Sequence, residues 1–299
     1  MNGSQEAVIR LENVHKAYGA GAAAVDDLSL EVGEGEICVL VGPSGCGKTT
    51  SLKMVNRLVR PERGTVWVKG EDTARLDPVE LRRRTGYVIQ QGGLFPHLTV
   101  HDNVTVVPRL LGWDRARRRA RADEVLELVG LAPSEFGRRF PHELSGGQRQ
   151  RVGVARALAA DPDVLLMDEP FSAVDPIARD RLQEEFLRLQ SEVRKTVLFV
   201  THDIVEAVRL GDRIAVLRQG GVLEQHDTPA QVLGSPATDF VAEFVGADRN
   251  LKLLGVVSIA DELLEPPATL PAGADWPRVP QAANLRQALT AMLDHGTDV

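Results

Sequence analysis

The sequence predicts an α/β fold: a mainly parallel sheet core, an N-terminal antiparallel β-layer and a helical subdomain. Three observations carry that expectation. Short apolar runs alternate with helical patterns along the chain, as strand–helix–strand units do. The runs at 37–41 (ICVLV), 164–167 (VLLM) and 196–200 (TVLFV) are apolar nearly throughout, as strands covered on both faces are. The first runs, by contrast, have little helix between them, which fits antiparallel pairing rather than crossover units.

In chain order, strands are expected at 8–13, 28–32, 37–41, 65–68, 87–89, 164–167, 196–200, 213–217 and 222–224. Helices are expected at 48–58, 115–129, 146–159, 176–194, 204–210 and 238–245, with Pro176 at a first turn that tolerates proline. After about Gly246 the texture changes. Residues 265–281 hold five prolines and little periodicity and read as loop or linker. Residues 284–295 (NLRQALTAMLDH) form an amphipathic helix candidate with Leu285, Leu289, Met292 and Leu293 on one side. The expected organisation is one domain over 1–249, its helical subdomain at about 90–160, and an extension over 250–299.

Composition narrows the function classes. The chain has 299 residues, is 43% hydrophobic and 26% charged, and so is neither a disordered tail nor a fibre. Its net charge of -7, from 35 basic and 42 acidic residues, makes it a poor candidate for wrapping nucleic acid. Cys38 and Cys46 are too few for a disulfide framework. The first residues show no basic run followed by an apolar core, so no secretory signal is expected. The apolar runs fall far short of the ~18 residues of a membrane span, and a cytosolic location is expected.

The strand candidate ICVLV is followed at once by GPSGCGKT, residues 42–49, which fits G-x-x-x-x-G-K-[ST] and opens a helix. Glycines at 42, 45 and 47 let the backbone curl so that N–H groups face phosphate oxygens. The helix N-terminus adds a favourable dipole. Lys48 reaches the outer phosphates, and Thr49 offers a hydroxyl to Mg²⁺. Pro43, Ser44, Cys46 and Thr50 complete the candidate phosphate cradle. Cys46 reads as a small residue filling a tight turn rather than as a reactive thiol.

A second anchor is VLLMDE, residues 164–169. A buried strand delivers Asp168 at its carboxyl end, where α/β sheets place ligands. Asp168 would hold Mg²⁺, and Glu169 would deprotonate an attacking water. Between the two anchors, LSGGQ at 144–148 continues QRQRVGVARAL into a helix. Ser145, Gly146, Gly147 and Gln148 thus form a second helix N-terminus suited to an anion.

Together these segments resemble the ATPase subunit of ABC transporters, for which LSGGQ is the signature. The resemblance covers residue 8 to about 249. It implies that ATP lies between one subunit's phosphate loop and the other subunit's signature in a head-to-tail dimer. It further implies that Tyr18 (HKAYGAG) stacks on adenine, and that Gln90 (GYVIQQGG) approaches the metal and the water. The distance to Pro96 selects Gln90 over Gln91. Asp175 (SAVDP) matches the family's D-loop, with Val174 where Leu is commoner, and His202 (FVTHD) matches its switch histidine. On this resemblance the chain hydrolyses ATP with Mg²⁺.

Residues 90–113 (QQGGLFPHLTVHDNVTVVPRLLGW) resemble the permease-facing stretch of ATPases that serve importers of quaternary-ammonium osmoprotectants: glycine betaine, choline or carnitine. That implies a permease, indirectly an extracytoplasmic binding protein, and a peripheral position on the cytoplasmic face of the cell membrane. The alternatives are the ATPase of another small-solute importer and a soluble ABC ATPase outside transport. Residues 256–299 resemble the opening of a CBS domain, of which only the first fragment is present; the equal alternative is a simple C-terminal extension that packs on the ATPase.

Overall fold

Two sheets of different character organise the chain, whose structure is a computed structural model describing residues 7–19, 21–90, 93–172, 174–257, 279–280 and 283–294. The hairpin β1 (Ile9–Ala17) and β2 (Ala23–Val32) comes first. β3 (Ile37–Val41) feeds α1 (Lys48–Val55). β4 (Arg63–Val68) and β5 (Glu71–Asp72) return to the first sheet, and α2 (Pro78–Arg84) leads into β6 (Thr85–Val88). A helical stretch follows: α3 (Val100–Val104), α4 (Val106–Leu110), α5 (Arg115–Leu128), α6 (Pro133–Phe136) and α7 (Gly146–Leu158). The chain then alternates through β7 (Val164–Asp168), α8 (Pro176–Val193), β8 (Thr196–Val200), α9 (Ile204–Leu210), β9 (Arg213–Arg218) and β10 (Val222–Asp227). Last come α10 (Pro229–Gly234), α11 (Asp239–Val245), α12 (Arg249–Leu253) and α13 (Leu285–Asp294).

The first sheet runs β2-β1-β4-β5 and is antiparallel throughout. The second runs β10-β9-β3-β8-β7-β6, parallel from β9 to β6, with β10 antiparallel at the edge. The apolar strands of the sequence lie at its centre, and their alternate residues feed two separate cores. Ile37, Val39, Val41, Leu165, Met167, Val197 and Phe199 join the core under α5, α7 and α8. Cys38, Leu40, Val164, Leu166, Leu198 and Val200 join the core beneath α1 and the antiparallel layer. A strand covered on both faces therefore loses the apolar–polar alternation, as ICVLV and TVLFV do.

The antiparallel layer departs most from the sequence reading. β1 extends four residues past the expected end, and β2 begins at Ala23 rather than 28. The pairing register shifts between Leu11 and Val14, where Asn13 has φ 46° and Asp27 opposite has φ 54°. That irregularity leaves Asp26 and Asp27 adjacent and exposed between buried Val25 and Leu28, which breaks the two-residue period. The expected helices at 48–58 and 238–245 are α1 and α11. α1 stops at Val55, before Asn56, and Thr238 caps α11 by accepting from Val241 N–H. α2, α3, α4, α6, α10 and α12 are short helices without a long apolar period, and went unread.

The expected 265–281 linker lies outside the described residues apart from 279–280, as does much of the CBS-like stretch. α13 appears where the amphipathic pattern placed it. Asn284 caps it, accepting from Gln287 N–H at 2.9 Å, and Leu285 N–H and Arg286 N–H reach the Val257 and Leu254 carbonyls. Among the described residues, no helix is long and apolar enough to cross a membrane.

Candidate nucleotide-binding site

The parallel sheet brings the ends of β3, β7 and β8 side by side, and the candidate residues converge there. At the end of β3 the loop 42–47 turns through Gly42 (φ 150°), Gly45 (φ 79°) and Gly47 (φ 98°) into α1. Two of these glycines are required by close approach. A Cβ on Gly42 would lie 2.1 Å from the Leu217 carbonyl oxygen, and one on Gly47 would lie 2.1 Å from that of Ala24. The loop is therefore wedged between β9 and β2. Gln219, at the β9–β10 turn, also donates to Ser44 O at 3.1 Å.

Lys48 is buried, and its ammonium folds back over the loop, donating to Gly42 O at 2.8 Å and Pro43 O at 3.0 Å. Gly47, the N-cap of α1, offers no side-chain cap, so the helix end is not closed off by its own sequence. Cys46 is fully buried, its sulfur 3.7 Å from Lys48 Nζ. Burial raises its thiol pKa even with the ammonium alongside, which agrees with a packing role.

Thr49 Oγ1 donates to Asp168 Oδ1 at 2.8 Å, joining the first turn of α1 to the end of β7. Asp168 is buried, and burial holds its carboxyl above the ordinary range despite the Thr49 hydrogen bond. Glu169 follows in the left-handed region at φ 46°, where a residue other than glycine is uncommon. The Glu169 N–H bonds the Val200 carbonyl at 2.9 Å, and Ser172 Oγ donates to the Glu169 carbonyl at 2.9 Å. The following loop is pinned by Phe171, whose ring lies 5.9 Å from that of Phe199 and 6.3 Å from that of Phe186.

The Glu169 carboxylate is bracketed. Gln90 Nε2 donates to Oε2 at 3.0 Å, and His202 Nδ1 lies 3.3 Å from Oε1. Three residues far apart in sequence thus meet at one carboxylate, because β6, β7 and β8 are neighbours in the sheet.

The other candidates sit around this centre. Tyr18 follows β1 with its ring exposed and Lys16 Nζ 5.6 Å above it. Ala17 pairs with Ala23, next to the Ala24 carbonyl that abuts Gly47, so the Tyr18 end of the β-layer adjoins the loop. Ser145 to Gln148 open α7 instead. Ser145 Oγ accepts from Gln148 N–H at 3.2 Å and Gln148 Oε1 accepts from Ser145 N–H at 2.8 Å, a reciprocal capping box. Asp175 is exposed just ahead of α8.

Sequence reading missed two contributors. Tyr87, on β6, is half-buried; burial and then the Asp168 carboxylate raise its hydroxyl pKa, so the two side chains face each other. The available signal was a phenol hydroxyl beside Val88 and Ile89 in an apolar run. Gln219 had no local signal, since its place follows from β9 pairing with β3.

The family model for ABC transporters matches residues 25–172. The chain is 52% identical over 292 residues to the osmoprotectant import ATP-binding protein OsmV of Salmonella typhimurium, covering 96% of this chain and 74% of that protein. It is 45% identical to the glycine betaine uptake system ATP-binding protein YehX of Escherichia coli, covering 98% of this chain and 92% of that protein. It is also 52% identical to the glycine betaine/carnitine/choline transport ATP-binding protein OpuCA of Bacillus subtilis, of which it spans 64%. Among solved structures, a dimeric ATP-binding cassette in a post-hydrolysis state with ADP and Pi superposes with a TM-score of 0.67. It is 36% identical and covers 74% of this chain and 98% of its own. With the phosphate loop, the paired acids and the LSGGQ helix on one α/β scaffold, this chain belongs to the ABC transporter family as an ATP-binding cassette.

Proposed function

We propose that this chain is the ATP-hydrolysing subunit of an importer of quaternary-ammonium osmolytes, acting as a head-to-tail dimer on the cytoplasmic face of the membrane. The observation that carries the chemistry is the bracketed Glu169, one residue beyond an Asp168 already joined to Thr49. Glu169 takes a proton from water as the water oxygen bonds to the γ-phosphorus. The bond from that phosphorus to the β–γ bridging oxygen breaks, and ADP carries the released electron pair. Gln90 and His202 hold the carboxylate and the water in line. Lys48 and the loop N–H groups bind the phosphates.

The Thr49 hydroxyl, the Asp168 carboxylate and the Gln90 amide oxygen are hard oxygen donors that suit Mg²⁺. When bound there, the ion would neutralise charge on the phosphate oxygens. Tyr18 would stack on adenine. Ser145 to Gln148 and Asp175 of a second copy would complete each site. ATP then joins the two copies, and closure of the dimer would move the permease.

The osmolyte assignment is supported by the relatives named above and by the resemblance of residues 90–113. Among the described residues of that stretch, Phe95, Leu110 and Leu111 are exposed apolar side chains, a surface suited to a partner. Reconstitution with candidate permeases and binding proteins in vesicles tests the proposal. Betaine, choline or carnitine should stimulate phosphate release and accumulate inside, whereas methionine and a sugar should not. Stimulation by a sugar or methionine alone would overturn the substrate class.

A further inference from the structure

We propose that Glu206 is a positioning residue that ties the switch histidine His202 to the Asp175 loop through a buried polar network, an inference that rests on the nucleotide-site reading above. Glu206, on α9 and four residues after His202, is only 7% exposed, in a helix face otherwise given to Ala207 and Leu210. A buried carboxylate is costly, and an apolar residue of similar volume would pack there at lower cost. Burial indeed raises its carboxyl pKa. The position is thus occupied by a group that a purely structural role does not favour.

Its partners explain the choice. Gln183 of α8, itself 4% exposed, donates from Nε2 to Glu206 Oε1 at 2.9 Å. The Gln183 amide oxygen accepts from Arg209 Nη1 at 3.0 Å, and Arg209 also pairs with Asp180 at 2.9 Å and Glu184 at 3.1 Å. α8 and α9 are therefore locked across one buried contact.

Each end of the network reaches a candidate catalytic loop. On the α9 side, Glu206 N–H donates to Asp203 Oδ1 at 3.4 Å and Asp203 N–H donates to the Thr201 hydroxyl at 3.1 Å, so His202 sits between two held neighbours, with Thr201 also lowering the Glu206 carboxyl pKa against the rise from burial. Asp203 in turn caps α9 by accepting from Val205 N–H at 2.8 Å. On the α8 side, the Arg179 guanidinium attracts the Glu206 carboxylate. The same Arg179 donates from Nη2 to Val174 O at 3.1 Å, and its backbone N–H bonds Asp175 O at 2.8 Å. A shift of Asp175 at the dimer face would move the start of α8 through Arg179, and with α8 the Gln183 amide that holds Glu206, and so would bear on α9 and the His202 backbone that leads into it.

The test is a double-mutant cycle on the full-length chain, with Glu206→Leu, Asp175→Ala and the pair, reading kcat, fluorescent-nucleotide affinity and melting temperature. Glu206→Leu should keep nucleotide affinity and melt no lower than the unaltered protein, yet lose at least about tenfold in kcat. Asp175→Ala should then cost much less in the Glu206→Leu background than alone. Glu206→Gln, which keeps an acceptor for Gln183, should restore most of the rate.

Turnover of Glu206→Leu within twofold of the unaltered chain, or strictly multiplicative effects in the cycle, would overturn the inference. Should Glu206→Leu fail to fold, Gln183→Met removes the amide at similar volume and carries the same cycle with the same two outcomes. If the unaltered chain releases no phosphate at all, the nucleotide reading itself fails, which is a different result.

Discussion

Two helix N-termini carry the family's two glycine motifs, and they are built in opposite ways. At α1 the entering residue is Gly47 at φ 98° with no side-chain cap, and Lys48, Thr49 and Asp168 crowd the end. At α7 the entering residue is Ser145 in extended conformation, and its capping box with Gln148 satisfies the helix from within. The first end has no side-chain cap of its own, so its N–H groups are open to an anion. The second is comfortable alone, and lacks the acids and the lysine that would do chemistry. One end of each kind is what the proposed head-to-tail pairing of two chains would bring together around one nucleotide.

The sharpest test of that pairing is Glu169→Gln. It keeps the side-chain volume while removing the base, so kcat should fall about 10²–10⁴-fold. ATP binding should persist, because the phosphate contacts at Lys48 and the loop are untouched. With ATP present, size-exclusion chromatography should then show an accumulated dimer. Turnover near the unaltered rate would remove Glu169 as base, and a monomer at saturating ATP would break the pairing of the two ends.

Next in size is Gly47→Ala. The new Cβ would meet the Ala24 carbonyl at 2.1 Å from a left-handed backbone, so stability should drop by about 3 kcal/mol or the chain should not fold. Urea unfolding reads this directly. An alanine variant of unchanged midpoint would mean that the loop is not wedged against β2.

How much of this was legible in the sequence follows the same division. GPSGCGKT, LSGGQ and the Asp168–Glu169 pair are each local, since the turn, the cap and the strand end are set by adjacent residues. They could be placed without knowing the fold. The meeting of Gln90, Glu169 and His202 depends on β6, β7 and β8 being neighbours. Periodicity cannot supply strand order, and family resemblance supplied it instead. Tyr87 beside Asp168, Gln219 on the loop and Gln183 on Glu206 are contacts between elements, and no local pattern marks them. The early start of β2 was hidden for another reason: the irregularity at Asn13 and Asp27 breaks the alternation that identifies a strand.

A smaller effect should separate the two ends by pH. Burial raises the pKa of Asp168 above its ordinary value of 3.8 in the folded chain. The folded state then binds more protons than the unfolded one, so Asp168 makes the nucleotide-free protein less stable as pH climbs upward from that value. Asp168→Asn keeps an acceptor for Thr49 and removes the charge. At neutral pH it should raise the melting temperature while abolishing hydrolysis. The gain should shrink as the pH is lowered toward the ordinary aspartate range. A variant that melts lower at neutral pH would mean that the carboxylate is not a net cost to this end of the molecule.

The smallest stability effect makes the cleanest distinction. Gly147 does not adopt a positive φ, and a Cβ there would meet only Val174 at an ordinary 3.6 Å. The fold of one chain therefore does not require glycine at this position, in contrast with Gly47. Gly147→Ala should leave the nucleotide-free protein unchanged or stabilise it by about 0.4–1 kcal/mol, through the lost freedom of the unfolded chain. If the glycine is instead kept bare for a phosphate and a second chain to approach, the same variant should lose ATP-driven dimerisation and phosphate release. A variant that is more stable and fully active would leave Gly147 without a role at the interface. A variant that is more stable and inactive would place the need for this glycine in the partner's half of the site.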